Sequence, residues 1–184
     1  MSGEPAAVLA TAVSSDHQND RLAALFDAHE ERLYRLSRRL CRNSDEARDL
    51  VHDTFLRAAK SLSSVPSGRA KEEAWLVRVL INIRRDQWRK TAVRKRAAPI
   101  LRDSVISYPS SVESALVAKR TVWAALDLLP PRRRAIVIMH ELEGMSLSAI
   151  ASLLGVTGIT VRWHLSMGRR DLKRALAPQL GDRI

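Results

Sequence analysis

The chain has 184 residues, with 31 Lys and Arg against 20 Asp and Glu for a net charge of +11, 46% hydrophobic residues, and only 7 Gly and 7 Pro. That balance excludes a disordered or collagen-like chain and predicts a packed core, in one compact domain or two small ones. No apolar run approaches the roughly 18 residues of a membrane span, the leading residues lack a basic signal-peptide start, and the one cysteine, Cys41, leaves no internal disulfide; a cytoplasmic protein without membrane insertion is expected.

Helical spacing runs through most of the chain and strand alternation is nearly absent, which predicts an all-α fold. Residues 1–19 are expected to form a flexible N-terminal tail. From about Asp20 to Cys41, Leu22, Leu25, Phe26, His29, Leu33, Leu36 and Leu40 recur at three- and four-residue spacing and predict an amphipathic helix. Asn43 and Ser44 are N-cap residues for a second helix through about Lys60, with Ala47, Leu50, Val51, Thr54, Phe55 and Ala58 as its buried stripe. Residues 61–69, SLSSVPSGR, have the composition of a loop. A third helix from about Lys71 presents Trp75, Leu76, Val79, Leu80, Ile83 and Trp88 on one face, which favours burial of Trp88 over its use as an exposed stacking platform. Residues 97–112, with Pro99, Pro109 and several serines, read as a flexible linker, and two small helical domains follow, residues 20–96 and 113–178. In the second, Pro130 and Pro131 end one helix and open the next, which closes at Gly144. Ser146 caps a short helix ending at Gly155, and the last helix begins at Thr157 or Gly158 and reaches about Leu176, with Pro178 beyond its end.

The charge is unevenly placed. Residues 1–60 hold nine basic and ten acidic residues, 61–112 hold eleven and four, and 113–184 hold eleven and six. The first segment carries an acidic stripe, Asp45, Asp49 and Asp53, at four-residue spacing, which suits a solvated face or a docking face for a basic partner. Arg84, Arg85, Arg89, Lys90, Arg94, Lys95 and Arg96 fall close together with a single acid, Asp86, and point to a polyphosphate partner or to a solvated helix face.

Residues 146–165, SLSAIASLLGVTGITVRWHL, carry the most specific signal. Small Ala151 permits a close helix crossing, Gly155 a tight turn, and Ile150, Leu154, Val156, Val161 and Leu165 fill the angle between two helices. This is a helix-turn-helix, in which the second helix enters the DNA major groove with its first residues against base edges. Thr157, Thr160, Arg162, Trp163 and His164 occupy that position, and Arg169 and Arg170 are placed to grip phosphates further along. Trp163 can pack on a thymine methyl or against a neighbouring helix, and the sequence does not choose. Gly168 lies inside the helix, at a cost of about 1 kcal/mol relative to Ala.

The run LPPRRRAIVIMHELEGMSLSAIASLLGVTGITVRWHLSMGRRDLKRAL resembles region 4 of bacterial sigma factors, the extracytoplasmic function (ECF) group of the sigma-70 family above all, and in part LuxR-type regulators. DEARDLVHDTFLRAAKSL is similar to sigma region 2.2, and AWLVRVLINIRRDQWRK to regions 2.3 and 2.4, in the order the sigma family has them. The resemblance implies a sigma factor that binds core RNA polymerase and directs promoter-specific initiation. It implies docking on the beta-prime clamp helices through Asp49, Leu50, Val51, Asp53, Phe55, Leu56 and Arg57. It implies binding and melting of the downstream promoter element by residues 61–96, with Ser64, Arg69, Asn82, Arg84, Arg85, Arg89 and Lys90 as contacts and the 61–69 loop as the pocket for a flipped base. Upstream promoter binding falls to Thr157, Thr160, Arg162, Trp163, His164, Arg169 and Arg170, and an anti-sigma factor is an implied partner. The chain departs from the family at His52 and Asp53, where Gln and Glu are frequent, at Gly158-Ile159, where the order is usually reversed, at Trp163, usually small, and at His164, usually Arg.

The alternative is a stand-alone, LuxR-like regulator of duplex operator DNA whose first domain senses or dimerises. No enzyme, cofactor, metal or small-molecule substrate is expected: His17, His29, His52, His140 and His164 have no ligand spacing, and HELEG lacks the second histidine of a zinc protease.

Overall fold

The computed structural model describes the backbone of residues 5–97 and 120–180, and the side chains of 17–91 and 120–177. Every element among them is helical: α1 (Pro5–Leu40), α2 (Ser44–Lys60), a 3-10 turn (Leu62–Ser64), α3 (Arg69–Ala97), α4 (residues 120–127), α5 (Pro131–Val137) running into a π turn (Ile138–Leu142), α6 (Leu147–Leu154) and α7 (Gly158–Leu180). No candidate membrane-spanning helix occurs among the described residues. Contacts group the chain into two compact units, residues 1–80 and 81–184, so the division falls within α3. Most of the segment expected as a linker lies outside the described residues.

In the first unit α1 and α2 form an antiparallel pair whose sharp reversal is set at Asn43. Its side-chain oxygen accepts the Glu46 N–H at 2.8 Å, satisfying a donor that the first turn of α2 leaves open. Asp45 and Glu46 then lie at the positive helix end. The stripe expected on α2 is the one buried, Ala47, Leu50, Val51, Thr54, Phe55 and Ala58, and it meets Leu25, Leu33, Leu36 and Leu40 of α1. A side chain such as Leu33 or Leu50, wholly removed from water, stabilises the unit by roughly 2 kcal/mol. Cys41 is buried as a small apolar residue. On α3 the buried residues are Leu76, Val77, Leu80 and Ile81. Trp75, Val79 and Ile83 are half-buried and Trp88 is exposed, so the apolar face lies one residue further round than the spacing predicts. Beyond Ile81 no described side chain of α3 is buried.

Helix α1 begins at Pro5, where the sequence predicts a tail through residue 19. Pro5 is suited to the first helical position, and Ala6, Ala7, Ala10 and Ala12 propagate a helix well, so local propensity extends the element beyond its amphipathic stretch.

In the second unit Pro131 opens α5, as expected, and Arg134 is buried against α4. Arg134 pairs with Asp127, and its guanidinium lies 5.9 Å from the centre of the Trp123 ring. The chain then widens into a π turn closed by Glu143 N–H to Ile138 O at 3.2 Å, and Gly144 ends it at a left-handed φ of 65°. Ser146 caps α6 by accepting the Ala149 N–H, and Gly155, at φ 63°, makes the turn into α7. Ile150, Leu154, Val161 and Leu165 fill the angle between α6 and α7 and meet Ile136, Ile138 and Met139. Helix α7 continues through Pro178 to Leu180, further than the sequence predicts. A proline in the last turn costs only one intrahelical hydrogen bond near an end where carbonyls already lack donors.

Candidate nucleic-acid interface

The helix-turn-helix forms over the residues that predict it, α6, the Gly155 turn and α7. Thr157 caps α7: its hydroxyl oxygen accepts the Thr160 N–H at 3.2 Å and shares a hydrogen bond with the Thr160 hydroxyl at 2.9 Å. Val161, Leu165 and Gly168 turn inward, while Ile159, Arg162, Trp163, Ser166, Arg170 and Lys173 lie along the opposite, exposed face. An exposed helical face on which cations alternate with apolar groups is suited to a major groove flanked by phosphates.

Of the residues expected at upstream DNA, Thr157, Arg162, Trp163, Arg169 and Arg170 are exposed and Thr160 is half-exposed. Arg169 is held by Glu141 of the π turn, its guanidinium 2.7 Å from the carboxylate, so a phosphate would have to compete for it. His164 departs from the expectation. It is half-buried with Nδ1 enclosed and without a hydrogen bond, and its ring meets Trp163 edge-on at 4.9 Å. Burial, then the nearby charges of Arg133 and Arg132, hold its pKa below the ordinary histidine value. The ring packs against Trp163, and its surroundings favour the neutral form.

Trp163 is 52% exposed, and the Arg133 guanidinium of α5 lies 5.6 Å from its ring centre. Arg133 is in turn paired with Asp171 of α7. Gly168 makes room for this arrangement: a Cβ there would lie 2.5 Å from Val137 Cγ2 and 3.2 Å from Arg133 Cγ.

In the first unit the 61–69 loop is anchored by buried Leu62 and Val65, and Arg21 of α1 donates to the Val65 carbonyl at 2.7 Å. Glu72 accepts from the Gly68 N–H and meets His29 of α1 at 3.2 Å, while Arg32 of α1 reaches Glu73 at the same distance. Ser63, Ser64, Ser67 and Arg69 remain exposed on the fixed loop. Along α3, Asn82, Arg89 and Lys90 are exposed, Arg84 and Arg85 are half-exposed, and Arg85 pairs with Asp86 at 3.4 Å. Trp88, expected in the core, is 37% exposed, on the stretch of α3 beyond its last buried residue.

The acidic stripe of α2 is solvent-facing: Asp45, Asp49 and Asp53 are all exposed, with Asp45 near Arg48 at 3.8 Å. Of the seven docking candidates, Asp49, Asp53, Leu56 and Arg57 are exposed. Leu50, Val51 and Phe55 are buried and hold the helix in place, and of the three only Phe55 also borders the groove described next. Leu56, 58% exposed, borders an apolar groove of about 350 Å³ between α1 and α2. Phe26 and Phe55, with ring centres 4.8 Å apart, line it along with Leu22 and His52. Among the described residues no three His, Cys, Asp or Glu side chains gather where they could hold a metal ion.

Residues 25–94 match the Sigma-70 region 2 family, and residues 119–172 match Sigma-70 region 4. The chain is 32% identical over 154 residues to the ECF RNA polymerase sigma factor SigM of Mycobacterium tuberculosis, across 83% of this chain and 75% of that protein. The chain belongs to the ECF group of sigma-70 RNA polymerase sigma factors. This ECF sigma factor is also 36% identical over 153 residues to SigE of Mycolicibacterium smegmatis, covering 81% of this chain but only 59% of the length of SigE. Its fold is similar to that of the sigma factor RpoE in complex with the anti-sigma factor NepR from Bartonella quintana, with a TM-score of 0.54 at 24% identity over 89% of this chain and 96% of that one. It is similar as well to CnrH in complex with the cytosolic domain of CnrY, with a TM-score of 0.55 at 22% identity over 85% and 88%.

In this sigma factor, the sequence sets Arg162 and Trp163 at the start of the second helix of the motif and Arg170 further along it, and in the structure all three are exposed on α7. It missed Arg133 and Asp171, which reach Trp163 and Arg133 from outside the motif. It also missed the inward position of Gly168. The spacing of Val161, Leu165 and Gly168 was the available signal, since three-and-four recurrence assigns Gly168 to the buried face.

Proposed function

We propose that this chain is a promoter-specificity subunit that joins core RNA polymerase, binds upstream promoter DNA through α6 and α7, and helps open downstream DNA with the 61–69 loop and α3. It catalyses no bond-forming or bond-breaking step. The observation that carries this reading is the presence in one chain of region 2 and region 4 of the sigma-70 family, the latter with a cationic, exposed α7 face.

On this reading the polymerase meets the exposed acids and apolar edge of α2, Asp49, Asp53, Leu56 and Arg57, beside the Phe26–Phe55 groove. Carboxylates steer a basic partner into register, and the apolar groove supplies the area that resists dissociation. Downstream, the exposed serines and Arg69 of the loop receive an unstacked base, while Asn82, Arg84, Arg85, Arg89 and Lys90 hold the strand and its phosphates. Upstream, Thr157, Thr160, Arg162 and Trp163 face base edges, with Arg169 and Arg170 toward phosphates. An anti-sigma protein that covers the α2 face or the α7 face would silence the factor by occupying surfaces it needs. A stand-alone regulator has no use for a region 2 domain.

Association with the polymerase tests this directly. The full chain is expected to co-migrate with core RNA polymerase and to yield promoter complexes that neither component forms alone. A chain that binds promoter duplex equally well with and without polymerase would overturn the reading in favour of a stand-alone regulator.

A further inference from the structure

We infer that Trp163 is a sequence-reading residue whose indole packs on the 5-methyl group of a thymine in the major groove, and that Arg133 positions it. The inference rests on the DNA-binding role proposed for α7 and goes beyond it by naming the atom read.

Three observations carry it. Trp163 lies on the exposed face of α7, between the cations Arg162 and Arg170, yet itself offers an apolar surface that is 52% exposed. A ring left in water costs free energy unless a partner covers it, and the flanking cations select a polyanion as that partner. The ring is also fixed in place. Arg133 lies 5.6 Å from its centre, His164 meets it edge-on at 4.9 Å, and Asp171 holds Arg133. Such a clasp limits the rotamers of a side chain that would otherwise turn freely, and reading one methyl group needs a placed surface. Finally, the absence of a side chain at Gly168 provides the space through which the Arg133 stem passes. Among base edges in the major groove only thymine presents a methyl group, so an apolar, fixed surface there discriminates thymine.

Replacing thymine by deoxyuridine removes that methyl and nothing else. The experiment selects upstream elements from a randomised duplex pool with the full chain bound to core RNA polymerase, then substitutes deoxyuridine at each selected thymine in turn and measures binding. For the native chain, one position is expected to lose about fourfold in affinity, the value of one buried methyl-sized group. In Trp163→Ala that ratio falls to one, while it persists in Ile159→Ala, which removes the other exposed apolar side chain of the same face. Arg133→Lys keeps the charge but lacks the guanidinium that lies 5.6 Å from the ring centre, so it lowers the thymine-to-deoxyuridine ratio to below about twofold whatever it does to overall affinity. A purely structural or electrostatic role for Arg133 would weaken both duplexes equally and leave the ratio unchanged. Selected elements insensitive to deoxyuridine at every position, or a sensitivity that survives in Trp163→Ala, overturn the inference while leaving the sigma-factor reading intact. Failure to enrich any element overturns both.

Discussion

Gly168 of α7 and Val137 of α5 pack so closely that a methyl group on the glycine would stand 2.5 Å from the valine Cγ2 atom. The valine side chain fits against α7 here because Gly168 carries none, and the same gap admits the stem of Arg133. A glycine that reads from sequence as a helix-weakening residue is a packing residue in the fold.

Gly168→Ala is therefore expected to destabilise the protein, although alanine is the better helix former. Overpacking of a tight contact costs about 1–3 kcal/mol, against a propensity gain of about 1 kcal/mol. The difference is a net loss of up to about 2 kcal/mol in chemical denaturation of the full chain, and raised stability would show that α5 can shift at no cost.

The buried Arg134 gives a second measurable case. It is almost wholly enclosed and paired with Asp127, so Asp127→Ala removes a partner from a charge that water cannot reach. A loss of about 1.5–3 kcal/mol is expected by thermal or chemical unfolding. Asp45→Ala, which removes an exposed partner of Arg48 and a charge in the first turn of α2, is expected to cost no more than about 1 kcal/mol in the same assay.

His164 sets a pH dependence. Burial and the charges of Arg133 and Arg132 hold its folded pKa below that of the unfolded chain, so the unfolded state takes up the proton first as pH falls. This part of the stability is complete above about pH 6.5 and declines as the solution is acidified toward the lower, folded value. His164→Gln is expected to have a shallower fall in stability between about pH 6.5 and 5 than the native chain. Identical slopes would mean that the ring gains compensating contacts when protonated.

The exposed acids of α2 separate docking from folding. Asp49→Ala with Asp53→Ala is expected to weaken binding to core polymerase roughly five- to tenfold and to leave thermal stability nearly unchanged. Leu50→Ala, at a wholly buried position, is expected to lower stability by about 2–5 kcal/mol instead. Titration of core polymerase with each variant, alongside melting curves, checks both.

Periodicity made the helices of the bundle legible because their apolar stripes face a partner: the stripe on α2 and the caps at Asn43 and Ser146 are found as read. It misplaced the burial of Val77 and Ile81 because the buried face of α3 lies one residue further round than the spacing gives, and that of Trp88 because the last buried side chain described on α3 is Ile81. The helix-turn-helix was legible from Ala151, Gly155 and their flanking apolar residues, which obey local geometry. Arg133, Asp171 and the withdrawn ring of His164 depend on contacts across the fold, between residues about thirty or more apart, and no spacing rule reports those.

The central claim, that this chain confers promoter-specific initiation on core RNA polymerase, is tested most directly by run-off transcription with core polymerase on promoters from the source genome, with and without the full chain. The expected result is discrete transcripts only when both are present, lost with Asp49→Ala and Asp53→Ala at limiting polymerase and restored at higher concentration. Transcripts that do not depend on the chain, or none at any concentration despite DNA binding, would contradict it.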